Sequence, residues 1–179
     1  MGNVEIRRPK PSDVLELHEF FRRVIMDTFI KEGIGDLLDD IEQEITTKKD
    51  YLRKDLESGG KDRYFLIALY GNKIVGTIEY GPTSELIKQC TNDVLKDLNE
   101  VGTVFVHPDY QRQGIGNKLL IKMYVALRNH GIEEFCLDSG YTSAQKIWKK
   151  KYGAPNFLLE DYWRKGVHHM IWRIKLEFQ

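Results

Sequence analysis

Between Tyr64 and Tyr80 two runs of strand-forming residues flank the pair Gly71-Asn72. A two-residue reversal needs backbone at positive φ, which Gly and Asn tolerate, and aromatic and β-branched neighbours suit a pleated surface. The pattern predicts a β-hairpin with strands over Tyr64–Tyr70 and Lys73–Tyr80, so the fold contains a sheet. The first run is also the longest aliphatic and aromatic stretch in the chain. At seven residues it falls far short of the ~20 that a membrane-spanning helix needs. The segment Met1–Asp13 carries Glu5, Arg7, Arg8 and Lys10 and lacks the apolar core of a signal peptide. A myristoylation start is set aside as well, because Ile6 stands where Ser or Thr is required.

Around the hairpin the hydrophobic period alternates between strand and helix. Glu5–Arg8 reads as a short strand, broken by Pro9, Pro11 and Ser12. Asp13 offers a helix cap with Glu16 three residues on, and Val14, Leu17, Phe21, Val24 and Ile25 predict a helix to about Phe29. Gly33 and Gly35 end that region. A second helical stripe follows at Leu38, Ile41, Ile45, Leu52 and Leu56, closing at Gly59-Gly60. Beyond the hairpin, Ile87, Cys90, Val94 and Leu98 predict a helix inserted between Ser84 and Asn99. Val101–Val106 reads as a strand ended by His107-Pro108. Ile115, Leu119, Met123 and Leu127 then mark a helix stopped at Asn129-His130-Gly131. Phe135–Leu137 is a short strand core, and Ala144, Ile147, Trp148 and Lys151 mark a helix that Gly153-Ala154-Pro155 terminates. Two last strands, Asn156–Trp163 and His168–Phe178, flank a turn at Lys165-Gly166.

No repeat, low-complexity tract or linker interrupts this order. A chain of 179 residues with 41% hydrophobic content has the size of one domain that buries roughly 70% of its unfolded surface. Residues 1–179 are therefore expected to form a single α/β domain, a mixed sheet covered by helices. Lys plus Arg is 27 and Asp plus Glu is 27, so no net field draws the chain to nucleic acid or to an anionic membrane. Cys90 and Cys136 lie far apart with no Cys-x-x-Cys, which points to a reduced, cytoplasmic protein without a zinc site.

The stretch that carries chemistry is Val106-His107-Pro108-Asp109-Tyr110-Gln111-Arg112-Gln113-Gly114-Ile115-Gly116-Asn117. A strand stops at a proline, a polar loop comes next, and two glycines open a helix. Glycines let a phosphate approach the backbone, and the unpaired N–H groups of a helix's first turn favour an anion. No acidic cap stands at Arg112, Gln113 or Gly114, and Arg112 and Lys118 add positive charge. A Walker loop is absent, and a dinucleotide fingerprint fails because its third glycine is Leu119.

This string resembles the coenzyme-binding motif of the GNAT superfamily of N-acetyltransferases, Gln/Arg-x-x-Gly-x-Gly/Ala after a strand ending Val-x-Pro. Gln111, Gly114 and Gly116 match, with Val106 and Pro108 upstream, and the order of elements from about Val4 to Leu176 is similar to the whole GNAT fold. The resemblance implies a mixed, largely antiparallel central sheet with splayed central strands, flanked by helices. It implies acetyl-CoA as co-substrate, with the pyrophosphate on the amides of Arg112, Gln113, Gly114, Ile115, Gly116 and Asn117. Pantetheine would lie along Val104, Phe105 and Val106, where the strand splays from its neighbour at Phe135–Asp138. Lys118 and Trp148 complete the expected cofactor contacts, Trp148 by packing near the thioester.

Acyl transfer from a thioester to an amine needs a neutral amine, a polarised carbonyl and an acid for the departing thiolate. A lysine-like amine is neutral at pH 7 only about once in 2,500, so deprotonation accounts for roughly 4 to 5 kcal/mol of the barrier. A base is worth seeking. Glu100, at the start of the strand that ends at Val106, sits where some family members use a glutamate, and Glu79 on the preceding strand is the competitor. Alternation would aim Glu79 at the cleft or at solvent. The sequence departs from the family at the acid: many relatives place a tyrosine four residues after an alanine, and here Ala144 leads to Trp148. Tyr152, one turn later, is the substitute, with Tyr141 a third option.

The acidic cluster Asp36, Asp39, Asp40, Glu42 and Glu44 either attracts an amine or answers a helix dipole. His168 and His169, adjacent on a strand, point to opposite faces and do not share a ligand. Lys149-Lys150-Lys151 reads as a solvated helix face, with contact of Lys149 to the cofactor's phosphates as the alternative. The expected reaction moves acetyl directly to a primary amine, on a small molecule or a peptide, in a ternary complex. The alternative is a non-catalytic acyl-CoA-binding sensor or interaction module. A homodimer would pair edge strands near the C-terminus, such as Met170–Leu176.

Overall fold

The computed structural model describes residues 2–177. Along them run β1 (Val4–Arg7), α1 (Val14–Lys31), α2 (Leu38–Ser58), β2 (Tyr64–Tyr70), β3 (Lys73–Pro82), α3 (Glu85–Cys90) and β4 (Asn99–Val106). Then come α4 (Ile115–Asn129), β5 (Glu134–Ser139), α5 (Thr142–Tyr152), β6 (Phe157–Arg164) and β7 (Val167–Lys175). The strands form a seven-stranded, mostly antiparallel mixed sheet in the order β1-β2-β3-β4-β5-β7-β6, and helices flank it. The chain divides into two compact units, one of residues up to Tyr80 with Thr103–Ala126, the other of Gly81–Gly102 with the residues from Leu127 on.

In the first unit the expected hairpin forms, with Tyr64 opposite Tyr80 and Tyr70 opposite Lys73, and Gly71 turns it at φ 60°. β1 adds antiparallel to β2. α1 buries Leu17, Phe20, Phe21, Val24, Ile25 and Phe29, and the Phe21 ring meets those of Phe65 and Phe105 at 6.3 and 6.4 Å. Each such side chain contributes about 1.5–3 kcal/mol by leaving water. The expected capping box of α1 does not form. The Asp13 carboxylate is taken by Arg7 at 2.8 Å and by the Lys10 N–H at 2.7 Å, and Glu16 accepts the N–H of Ile74.

α2 also departs from its expected stripe. Leu38 is 67% exposed, and the buried position near the far end is Asp55 rather than Leu56. Asp55 accepts the Phe65 N–H and an Arg8 guanidinium N–H, both at 2.6 Å, which joins the end of α2 to the start of β2. Burial pushes the Asp55 carboxyl above its ordinary range, against the pull of these bonds. α4 lays Ile115, Leu119, Leu120 and Met123 into the core. Its seat requires Gly76 on β3, since a Cβ there would stand 2.9 Å from Leu119 Cδ1 and 3.2 Å from the Phe105 carbonyl.

In the second unit the helix expected over Ser84–Asn99 ends at Cys90. Asn92 and Asp93 take positive φ, 47° and 63°, which breaks the helical path, and Val94 is exposed while Leu95 packs with Ile87, Cys136 and Ile171. The start of β4 pairs in parallel with β5 at Asn99↔Phe135 and Glu100↔Cys136. β7 runs antiparallel to β5 on one side and to β6 on the other. Met170–Leu176 is therefore no edge strand: its β7 residues are interior, and β6 forms the edge. On α5, Ile147 is exposed, and the buried pair is Trp148 with Gln145, whose amide donates to the Ser139 and His168 carbonyls at 2.9 Å each. Phe178, expected to end β7, lies outside the described residues.

Candidate functional site

The glycine loop is built within the first unit. β4 ends at Val106, a short 3-10 turn spans Pro108–Tyr110, and the chain enters α4 through Arg112 at φ 59° and Gly114 at φ 81°. His107 anchors the loop by donating its N–H to the Val75 carbonyl at 2.9 Å, and its ring Nδ1 accepts the Asp109 N–H. Burial holds the His107 imidazole below its usual pKa, so it is neutral at pH 7. Gln111 donates its side-chain amide to the Val106 carbonyl at 3.2 Å, tying the loop to the strand it leaves.

Gly114 holds the capping position, its carbonyl accepting the first helical bond from Lys118 at 3.1 Å. It brings no side chain to the helix start, and no acidic residue lies in the first turn. A Cβ at Gly114 would meet nothing within 4 Å, so the space beside that residue is open. Gln111, Arg112, Gln113, Asn117 and Lys118 are exposed, whereas Ile115 is buried as the anchor of α4. An anion approaching there finds backbone and cationic side chains.

Upstream on β4, Val104, Phe105 and Val106 are half-buried. Thr103, just before them, has φ 50°, a conformation a β-branched residue avoids at a cost of order 1–3 kcal/mol. Its hydroxyl donates to Glu79 Oε1 at 3.1 Å, and its carbonyl accepts the Thr77 hydroxyl at 2.8 Å. The other Glu79 oxygen receives Arg63 Nη1 at 2.7 Å, and the Arg63 guanidinium lies 3.6 Å over the Tyr51 ring. Glu79 is 2% exposed, so of the two directions its strand allowed, it faces inward.

In the second unit Glu100 is half-buried and accepts the Ser84 N–H at 2.7 Å. Cys136, its register partner, has its thiol pushed up to about 12, by burial first and by the nearby Glu100 charge second. Enclosed and so held, the thiol stays protonated at neutral pH. Trp148 is 8% exposed and stacks on Tyr152 at 5.9 Å between ring centroids. Tyr152 borders a surface depression with Glu134, Asn156 and Arg173, and Tyr141 stands at the N-cap of α5.

The remaining expected features have ordinary partners. Glu42 takes both hydrogen bonds of Arg22, Glu44 pairs with Lys48, and Asp39 and Asp40 lie in the first turn of α2. His169 Nδ1 accepts the Trp163 indole N–H at 3.2 Å, so its proton is on Nε2, 2.8 Å from Asp138. His168 accepts the Asp161 N–H. Among the described residues no group of three or more His, Cys, Asp or Glu is arranged to hold a metal ion. No helix among them is long and apolar enough to cross a membrane.

Sequence reasoning missed Gly76, Thr77, Arg63 and Thr103. Gly76 carried a readable signal, a glycine inside a strand run where backbone or helix approaches closely. The left-handed turn at Thr103 carried none, because nothing in the residue type announces it.

Comparison with known proteins adds an independent finding. No curated protein matches the sequence. Solved structures do match. A GNAT-family protein from Desulfovibrio desulfuricans is 18% identical with a TM-score of 0.72, over 97% of this chain and 99% of its own. The PaiA N-acetyltransferase of Thermoplasma acidophilum, solved with coenzyme A, is 21% identical with a TM-score of 0.69, over 97% and 99%. The ribosomal-protein-alanine N-acetyltransferase of Brucella melitensis is 18% identical with a TM-score of 0.68, over 96% and 99%. At such identities these likenesses establish the fold alone. The model of the acetyltransferase (GNAT) family matches residues 30–154, from the end of α1 through the glycine loop to the end of α5, and the chain belongs to that family.

Proposed function

We propose that residues 1–179 act as one N-acetyltransferase domain that binds acetyl-CoA at the glycine loop and passes the acetyl group directly to a primary amine. The observation that carries this reading is the loop itself: Gly114 at φ 81° caps α4 without a side chain, with room for a Cβ that no neighbour fills, and Arg112 and Lys118 stand beside it. Structures of relatives support it, since the Thermoplasma acidophilum protein was solved with coenzyme A. In this reading the pyrophosphate lies on the amides of Arg112 to Asn117 and pantetheine runs along Val104, Phe105 and Val106. Trp148 packs near the thioester.

Glu100 is our candidate for the base. It keeps partial access to solvent, as a proton relay requires, whereas both oxygens of Glu79 are engaged and the group is enclosed. Tyr152 is the candidate acid. A thiolate with a solution pKa of about 8.5 is a good enough leaving group for a water to serve as well. The acceptor carries a primary amine, on a small molecule or a peptide.

The test is turnover of acetyl-CoA across a panel of polyamines, aminoglycosides and lysine-bearing peptides, read as free coenzyme A thiol. Release that depends on one class of amine is the expected result. Tight acetyl-CoA binding with no release over any amine would make the protein an acyl-CoA sensor instead.

A further inference from the structure

We propose that Glu79 is a positioning residue that holds Thr103 in its left-handed turn, and that this turn sets the direction in which Val104–Val106 present their backbone to the pantetheine arm. The inference rests on the reading of acetyl-CoA as co-substrate. Thr103 is 4% exposed, and among its polar groups are a hydroxyl and a carbonyl. Both are gripped from β3. Thr77 and Glu79 stand two apart on that strand and so share a face, one donating to the carbonyl and the other accepting from the hydroxyl. Glu79 is fixed in turn by Arg63, and Arg63 by the Tyr51 ring.

The assembly has a purpose that packing alone does not supply. A β-branched residue at φ 50° drifts back toward extended backbone unless its surroundings over-determine it. A left-handed residue within a strand bends it and re-aims the residues beyond the bend. In β4 those residues are the segment proposed to carry pantetheine, and Glu100 stands three residues before the turn. A carboxylate with both oxygens engaged and almost no exposure, as Glu79 is, suits holding a backbone and does not suit collecting a proton from an amine.

Calorimetry with two ligands tests this: acetyl-CoA, and adenosine 3′-phosphate 5′-diphosphate, the nucleotide end of the coenzyme without its pantetheine. Thr103→Val keeps the branched side chain and removes the hydroxyl. It should weaken acetyl-CoA about tenfold and leave the nucleotide unaffected. Thr103→Ser, which restores the hydroxyl, should recover acetyl-CoA binding. Should Thr103→Val fail to fold, Thr77→Val reads the same clamp from the carbonyl side with the same split between ligands. In a Thr103→Gly background, where left-handed backbone carries no penalty, Thr77→Val should then have no further effect. A parent protein that binds neither ligand overturns the co-substrate reading and this inference together. A parent that binds both, with Thr103→Val unchanged or with equal losses for the two ligands, overturns this inference alone. So does a Thr77→Val effect of the same size in both backgrounds.

Discussion

At Gly114 two requirements coincide, a positive φ and an absent side chain. The Cβ of an aspartate placed there meets no neighbour within 4 Å, so its damage would come from backbone strain and from negative charge above the helix start. Gly114→Asp should weaken acetyl-CoA binding at least about tenfold, or ~1.4 kcal/mol, by calorimetry on the folded variant; unchanged affinity would remove the loop from the site. Glu100 makes a different kind of demand. Its amide counterpart still accepts the Ser84 N–H, so Glu100→Gln should fold normally and bind acetyl-CoA as the parent does. Turnover should fall most near neutral pH, where a base is needed. Superimposable pH–rate profiles for parent and variant would assign the proton to bulk water.

Among the elements, α2 and β2 are joined by one buried carboxylate. Asp55 is fully enclosed, with one oxygen on Arg8 and the other on the Phe65 N–H. Asp55→Ala would strand the buried Phe65 N–H and leave the half-buried Arg8 guanidinium without its carboxylate, and urea unfolding should show a loss of about 3 kcal/mol. A loss below about 1 kcal/mol would mean that water replaces the carboxylate. Asp55 also shows where sequence legibility stops. Helix period and hairpin punctuation are local, so the hairpin and α4 stand where the sequence places them, with Ile115, Leu119, Met123 and Leu127 all buried. The α2 stripe drifted from Leu56 to Asp55 because a partner just beyond β1, Arg8, makes a buried charge tolerable there, and no local pattern announces such a partner. α3 stopped early because Asn92 and Asp93 admit positive φ, a turn signal outweighed by the apolar spacing of Val94 and Leu98. The candidate site divides along the same line. Its loop is a contiguous string and was legible, while the grip on Thr103 joins three distant segments and was not.

For the molecule as a whole, 27 basic and 27 acidic side chains put the isoelectric point near 7.0. Without net charge nothing long-ranged keeps copies apart at neutral pH, and the edge strand β6 exposes Leu158, Tyr162 and Trp163. Light scattering should find the weakest intermolecular repulsion close to neutrality, rising on either side; a minimum far from there would show that surface patches govern association. The division into units has a consequence for synthesis. The first unit needs residues up to Tyr80 and then Thr103–Ala126, so the ribosome must add the intervening chain before it can close. At ~5–20 residues per second, the passage from Tyr80 to Ala126 takes roughly 2 to 9 s. Until α4 is made, the surface around Gly76 has no Leu119 or Ile115 to cover it. The nascent chain thus carries its own window of stickiness, set by the order of its segments, in which a holding chaperone has something to grip.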